Sequence, residues 1–322
     1  MKKTILVLST ILALVSMTAL SRTNDHPGIF VVVTVDWEGS SLDRGDLLSM
    51  KRFRDEFPDI PLTHFINAAY YTKAGADANE ITSRISGTLR DGDELGLHIH
   101  GWKSLFEAAG VKFRSVPNFW GYRGPADRYG DYGHDVPISA YTGDELRRVI
   151  GLSLKILEDA GFGRAKSFRA GGWMADGNVL SALAREGLTS DHSAVPYVFL
   201  EEETENTPLL DWVKNLWQGI TDVSQPFMTN ENIIEIPDNG ALADYVTDRE
   251  MLSVFNKAAE AFIKDKSSTK IVSIGFHEET AGQYLSRLRS AIKLIRQSAA
   301  ENGVPLYFVT SKDVENIFYL NR

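Results

Sequence analysis

A chain of 322 residues, 43% hydrophobic and 24% charged, has the usage of a soluble globular protein with a large core. That excludes a disordered chain and a multi-span membrane protein. Acidic residues outnumber basic ones 43 to 34, for a net charge of −9 without any basic run, so nucleic acid is not an expected partner; the absence of cysteine excludes disulfides, Cys nucleophiles and Cys-ligated zinc, and any metal must be held by His and carboxylates.

The first element is MKKTILVLSTILALVSMTAL. Two lysines, an apolar run from Thr4 to Leu20 and small residues at its end have the pattern of a secretory signal peptide. The expectation is a cleaved leader over residues 1–20, a secreted or periplasmic product, and no membrane span after cleavage. Residues 21–322 then read as one domain. Strands are expected at Ile29–Trp37, Leu62–Ala69, Glu94–Gly101, Ser167–Trp173, Thr189–Val195, Ile233–Pro237, Ile271–His277 and Leu306–Thr310, mostly bounded by Gly, Pro, Asp or Asn. Between them lie helical patterns. Thr142-Gly-Asp-Glu145, Thr247-Asp-Arg-Glu250 and Thr280-Ala-Gly-Gln283 each fit a reciprocal capping box, and Leu285, Leu288, Ile292 and Ile295 form one core-facing stripe. This alternation predicts an α/β fold, a distorted (β/α) barrel of seven to eight parallel strands. The stretch Trp102–Tyr141 breaks the alternation. It carries PNFWGYRGPADRYGDYGHDVP, and such a long loop is usually functional or mobile; its aromatics suit either stacking on sugar rings or anchoring the loop.

Chemistry concentrates at strand ends. Asp36 and Glu38 are two apart and share a face at the end of the first strand, as do His98 and His100 at the end of the third. His277 closes the seventh. In α/β barrels the active site assembles at that rim, and His with carboxylates and open positions is the composition of a catalytic zinc site. Alternation puts positions 98, 100 and 102 on one face, and Trp102 offers no lone pair, so His100 is the expected partner of His98. His134 in the long loop is the competing ligand. His64 reads as a packing residue, His26 as a tail residue and His192 as local structure. Asp191, at the end of the fifth strand, either supports the site or caps a turn.

In order, Asp36-Trp-Glu38, Glu94-Leu-Gly-Leu-His98, Phe168-Arg169-Ala-Gly-Gly-Trp173 and Gly275-Phe-His277 resemble successive motifs of the polysaccharide deacetylase, NodB-homology family. The resemblance spans roughly Ile29 to Thr310. It implies a distorted barrel and metal-dependent removal of N- or O-acetyl groups from carbohydrate. By position, Asp36 resembles the catalytic base, Glu38 the metal carboxylate, His98 the first metal His, Arg169 the arginine that orients the base and His277 the general acid. Three departures stand out. Trp37 separates the two carboxylates, of which the second is Glu; Trp102 occupies the place of the usual second metal His; and Ala-Gly-Gly-Trp follows Arg169 in place of a Pro-aromatic pair.

The expected site is therefore catalytic Asp36, His277 and Arg169, metal ligands Glu38, His98 and His100 holding Zn²⁺ or another divalent transition ion, and substrate contacts at Trp37, Trp102, Trp173, Asp191 and His134. The expected partner is an acetylated polysaccharide or glycan. Two rival readings keep the fold: a metal-dependent amidase on a small molecule, and a catalytically inactive carbohydrate-binding protein.

Overall fold

The computed structural model describes residues 27–320, so the expected leader at residues 1–20 lies outside the described residues. In chain order the elements are β1 (Gly28–Trp37), α1 (Arg44–Glu56), β2 (Thr63–Asn67), α2 (Ala78–Ser86), β3 (Glu94–Ile99), α3 (Lys103–Ala108), α4 (Gly143–Asp159), β4 (Ser167–Ala170), α5 (Gly177–Arg185), β5 (Ser190–Asp191), α6 (Glu201–Thr204), α7 (Pro208–Leu216), β6 (Phe227–Met228), β7 (Ile234–Glu235), α8 (Asp248–Lys264), β8 (Thr269–His277), α9 (Ala281–Asn302), β9 (Leu306–Val309) and α10 (Ser311–Leu320). No helix among them is long and apolar enough to cross a membrane.

β1 is buried along its whole length, as suits a parallel strand covered on both faces. One edge pairs with β8, from Gly28↔Thr269 to Asp36↔His277. The other is shared: β9 runs beside Ile29–Val32 and β2 beside Thr34–Trp37. From β2 the sheet continues through β3, β4, β5 and β7 in parallel, and β6 closes it as an antiparallel edge. The remaining gap is bridged by an irregular segment, residues 238–243. Asp238 N–H donates to Ala194 (2.8 Å) on one side, while Gly240 and Ala243 donate to Ser273 and Gly275 of β8 (both 2.8 Å) on the other. The result is a distorted (β/α) barrel whose eighth stave is a loop. The sequence reading missed β6, a two-residue strand with no run to reveal it.

The two faces of β1 separate two cores. Ile29, Val31, Val33, Val35 and Trp37 join the main cluster under the helices. Phe30 and Val32 face the lumen with Ile234, Ile236, Ile271 and Val309, where α10 plugs the barrel bottom with Val314 and Ile317. The same lumen face continues upward into Thr34 and Asp36, so the barrel changes from apolar to polar toward the C-terminal ends of its strands.

Several strands stop earlier than expected, each for a local reason. Asn67 caps a short 3₁₀ turn at Ala68–Tyr71 by accepting from Ala69 N–H. After Ala170, Gly172 takes φ +62° and the chain turns. At β5 the Ser193 hydroxyl accepts the Ala170 N–H (2.9 Å) that a longer ladder would have used. The capping boxes at Thr142 and Thr247 form. The one at Thr280 does not: its hydroxyl donates to Asp244 instead.

Candidate active site

Glu38 stands one residue past β1 and is the hub of the barrel's upper rim. His100 Nε2 lies 2.7 Å from one of its oxygens and His134 Nε2 2.6 Å from the same oxygen. His98 Nε2 lies 3.2 Å and His277 Nε2 3.5 Å from the other. The tautomers of two rings are set by backbone. His98 Nδ1 meets the Arg169 carbonyl at 2.8 Å and His100 Nδ1 meets the His134 carbonyl at 2.6 Å. A carbonyl only accepts, so each Nδ1 carries a proton and donates it, and Nε2 is the nitrogen that faces Glu38. His134 also stacks on His100, with ring centroids 4.1 Å apart and planes 8° from parallel.

Asp36 faces the lumen beside this hub. Arg169 Nη1 donates to it at 2.9 Å and also to Thr34 Oγ1 at 2.9 Å. Arg169 Nε donates to the His192 carbonyl (3.0 Å), and Nη2 lies 3.2 Å from Asp238. On the adjacent strand β8, where His277 is the register partner of Asp36, its Nδ1 lies 3.1 Å from Asp244.

The charges decide protonation. Burial opposes ionisation of Glu38, but attraction to His100 and His277, with hydrogen bonds from His100 and His134, outweighs it and holds the carboxyl well below its usual range. Burial alone would lower His277; Asp244, Glu38 and Asp36 overcome it and push the imidazole up to about 10. His134 is lowered, by burial and then by the neighbouring His100 charge.

The hub opens into a cavity of about 550 Å³, walled by Trp120 and Tyr122 of the long loop and by Tyr245 opposite. Beneath it a recess of about 50 Å³ is lined by Phe119, Trp173 and Leu209 together with Asp36, His98 and His100.

Sequence reasoning grouped Asp36, Glu38, His98, His100, Arg169 and His277, and the structure brings them together. His134, expected among substrate contacts, lies against Glu38 as closely as His100 does. Trp37 needs correction. It is fully buried on the helix side of β1, where its Nε1 donates to His64 Nδ1 (3.2 Å), and it lines neither the cavity nor the recess. Asp191 also needs correction. Its register partner is Phe168, a helix-side core residue, so it lies across the sheet from Arg169 and is fully buried. Trp102 and Trp173 border the cavity and the recess, yet their Nε1 groups are spent on the Glu38 carbonyl (2.7 Å) and on Asp238 (3.1 Å). Asp238, Asp244 and Glu279 were missed. Asp238 follows a strand end and was legible by the rule used for Asp36, whereas Asp244 and Glu279 sit in turns with no pattern to mark them.

No family model matches the chain, and no curated protein matches its sequence. Solved structures share the fold. A protein of Mycobacterium smegmatis named as a candidate polysaccharide deacetylase is similar at a TM-score of 0.53 with 14% identity, over 92% of each chain. The Puue allantoinase is similar at 0.51 with 14% identity, over 90% of each chain. The chain has the NodB-homology polysaccharide deacetylase fold.

Proposed function

We propose that the protein is a metal-dependent hydrolase that removes acetyl groups, N-acetyl above all, from an extracytoplasmic polysaccharide or glycan. The observation that carries this reading is the set of imidazole Nε2 atoms converging on Glu38 beside an Asp36 that Arg169 holds. The donor set fits a divalent ion. Donor atoms of Glu38, His100 and His134 all lie within 4.8 Å of one another, and imidazoles with a carboxylate are the ligands that zinc and its neighbours take. The outer nitrogens of His98 and His100 are tied to carbonyls, as those of metal-bound histidines usually are. We assign Glu38, His98, His100 and His134 as the residues that hold it.

When bound, such an ion supplies Lewis acidity for the acyl carbonyl and a water made more acidic. The remaining work belongs to the chain. Asp36 accepts the proton of the attacking water, and Arg169, desolvated and fixed between Asp36 and Asp238, keeps that carboxylate aimed. His277, protonated and steadied by Asp244, donates to the departing nitrogen or oxygen. Each proton-transfer role is worth about 10²–10⁴-fold. The recess accounts for the acyl group: about 50 Å³ is space for only a few waters, enough for an acetyl methyl and little more. The wider cavity, open and aromatic-walled, suits a sugar chain better than a small free amide. The leader pattern at residues 1–20 supports a substrate outside the cytoplasmic membrane.

The test is acetate release from peptidoglycan, chitin oligomers, acetylated xylan and poly-N-acetylglucosamine, with and without chelator. Acetate from at least one glycan, abolished by chelation and restored by Zn²⁺, is expected. A zinc-loaded protein that frees acetate from none of them overturns the reading.

A further inference from the structure

The recess and the open cavity meet at a shared mouth. Glu38, Trp120, His134, Tyr245 and His277 line both of them, so a sugar in the cavity with its acyl methyl in the recess sets the scissile bond among these side chains. Glu38 and His134 belong to the ion-binding set, His277 is the acid, and Trp120 comes from the long loop. Tyr245 has no role in that reading, yet it is held firmly. Its N–H donates to the Leu242 carbonyl (2.9 Å) and Ala243 N–H to Gly275 (2.8 Å). Arg287 Nη1 donates to the carbonyls of Ala243 (2.9 Å) and Asp244 (3.3 Å). The half-buried ring meets Trp173 and His277 at steep angles of 71° and 65°, with centroids 5.2 and 6.1 Å away. The hydroxyl, by contrast, makes no hydrogen bond with any described residue. A packed tyrosine usually finds a partner for its O–H; here the partner is left to whatever occupies the mouth.

Resting on the deacetylase reading above, we infer that Tyr245 is a further catalytic residue, whose hydroxyl donates a hydrogen bond to the acyl oxygen as negative charge gathers there. Attack by water forms the new C–O bond and moves the π pair of the carbonyl onto that oxygen. Collapse returns the pair as the bond to the leaving group breaks, and the departing nitrogen or oxygen takes its proton from His277. Tyr245 keeps its own proton throughout and acts as a fixed donor, neither acid nor base. A phenol is protonated at neutral pH, and burial, followed by the charges of Asp244, Glu38 and Asp36, raises this one further. A donor already in place before the reaction stabilises an oxyanion without reorganising. Nearby donors are committed elsewhere. Trp173 Nε1 is spent on Asp238 and Trp102 Nε1 on the Glu38 carbonyl, while the hydroxyls of Tyr70 and Thr280 go to Glu279 and Asp244.

Tyr245→Phe removes one oxygen that no described residue uses, so the fold and the zinc content are expected to be unchanged. On an N-acetylglucosamine oligomer, kcat is expected to fall about 10²–10³-fold, as on losing an oxyanion donor, with KM within about 3-fold of the wild type. Two readouts separate this from packing. On the N-thioacetyl oligomer, whose sulfur accepts hydrogen bonds weakly, the fall in kcat is expected to shrink to about 10-fold or less. Binding is then measured without turnover. The oligomer with a tetrahedral N-methylphosphonyl group in place of N-acetyl is expected to bind the zinc-loaded wild type about 10²-fold tighter than Tyr245→Phe. The planar N-acetyl oligomer is expected to bind Asp36→Asn proteins equally with and without Tyr245→Phe. Four results overturn the inference: a variant that loses zinc or its fold, a raised KM at unchanged kcat, an equal loss on the oxygen and sulfur substrates, or a planar ligand weakened as much as the tetrahedral one. A wild type that frees acetate from no glycan sinks the deacetylase reading, and the phosphonyl comparison still decides Tyr245: unequal affinities keep the donor and equal affinities remove it.

Discussion

Glu38 is fixed at its backbone as firmly as at its side chain. Asn67 Nδ2 and Trp102 Nε1 donate to its carbonyl at 3.1 and 2.7 Å, and Glu279 accepts from its N–H at 3.1 Å. Gly39 follows with φ +80°, and a Cβ there would sit 2.8 Å from Asn67 Cγ, so the turn that presents Glu38 needs glycine. With Glu38 at the hub and Asp36 tied to Arg169, the two carboxylates separate by role. Asp36→Asn is expected to keep the metal and lower turnover by about 10²–10⁴-fold, whereas Glu38→Ala is expected to lose the metal; metal content and acetate release of the two proteins check this, and the reverse pattern exchanges the roles. The departures from the family's motifs also become intelligible together. A Cβ at Gly171 would lie 2.5 Å from the His100 ring, and one at Gly172 would lie 2.5 Å from the Phe119 ring. Gly171 therefore makes room for a histidine two residues after His98, and Gly172 for the Phe119 ring. Gly171→Ala is expected to push His100 off Glu38 and weaken zinc binding by about 10–100-fold, the scale of losing a ligand's support, with the fold retained by circular dichroism. Unchanged zinc affinity would show that His100 is not a ligand.

Between α3 and α4 the long loop has no strand or helix of its own beyond one 3₁₀ turn at Ile138–Ala140, yet side chains hold it in place. Lys73 Nζ sits 2.7 Å from Asp127, 3.1 Å from Asp131 and 3.4 Å from the Trp102 ring centroid. Asp131 also accepts from the Ser104 hydroxyl (2.6 Å). The loop then delivers His134 and Asp135. Lys73→Met is expected to leave two buried carboxylates without their cation, a loss of the kind that costs about 3–5 kcal/mol. The loop should come loose while the barrel persists, so proteolysis within residues 109–137 should speed up and zinc affinity should fall as His134 leaves. A variant with wild-type zinc affinity would remove His134 from the ligand set. The elements were legible where a local rule sufficed. Strand β1 was legible from its apolar run, α4 and α8 from their capping boxes, and the pairs 36/38 and 98/100 from strand alternation. What escaped was set by contacts between distant parts of the chain. Lys73 and Asp127 meet across the fold, and Asp244 reaches His277 from a bridging loop. Strand alternation already turns Trp37 away from Asp36 and Glu38, whereas the side of the sheet on which Asp191 falls depends on register, which residue type alone does not fix.

Across the whole barrel, charge is placed by depth, and not all of it serves the rim. Asp191 and Glu235 are register partners on β5 and β7, both fully buried. Their needs are met sparsely: Ser193 donates to Asp191 (2.7 Å) and Ala194 N–H to Glu235 (2.8 Å). Burial pushes Asp191 up to about 6, and burial together with the Asp191 charge raises Glu235 well above its usual range. The folded protein thus prefers this pair to carry a proton. Because both folded values are raised, the pair's contribution to stability is fully present below about pH 4, where the unfolded chain is protonated as well. It is lost as pH climbs through about 6 and beyond, where the unfolded chain releases protons that the folded chain retains. Glu235→Gln supplies amide hydrogens to Asp191 at any pH and removes one of the two titrations. Between pH 5 and pH 8 the wild type is expected to lose about 1–3 kcal/mol more stability than the variant, a difference of a few degrees in melting temperature for a chain of this size. Melting curves of both proteins at the two pH values give the comparison directly, and since every other titrating group is common to both, only the pair at 191 and 235 contributes to the difference. Equal losses in the two proteins would mean that the pair holds no proton in the folded state.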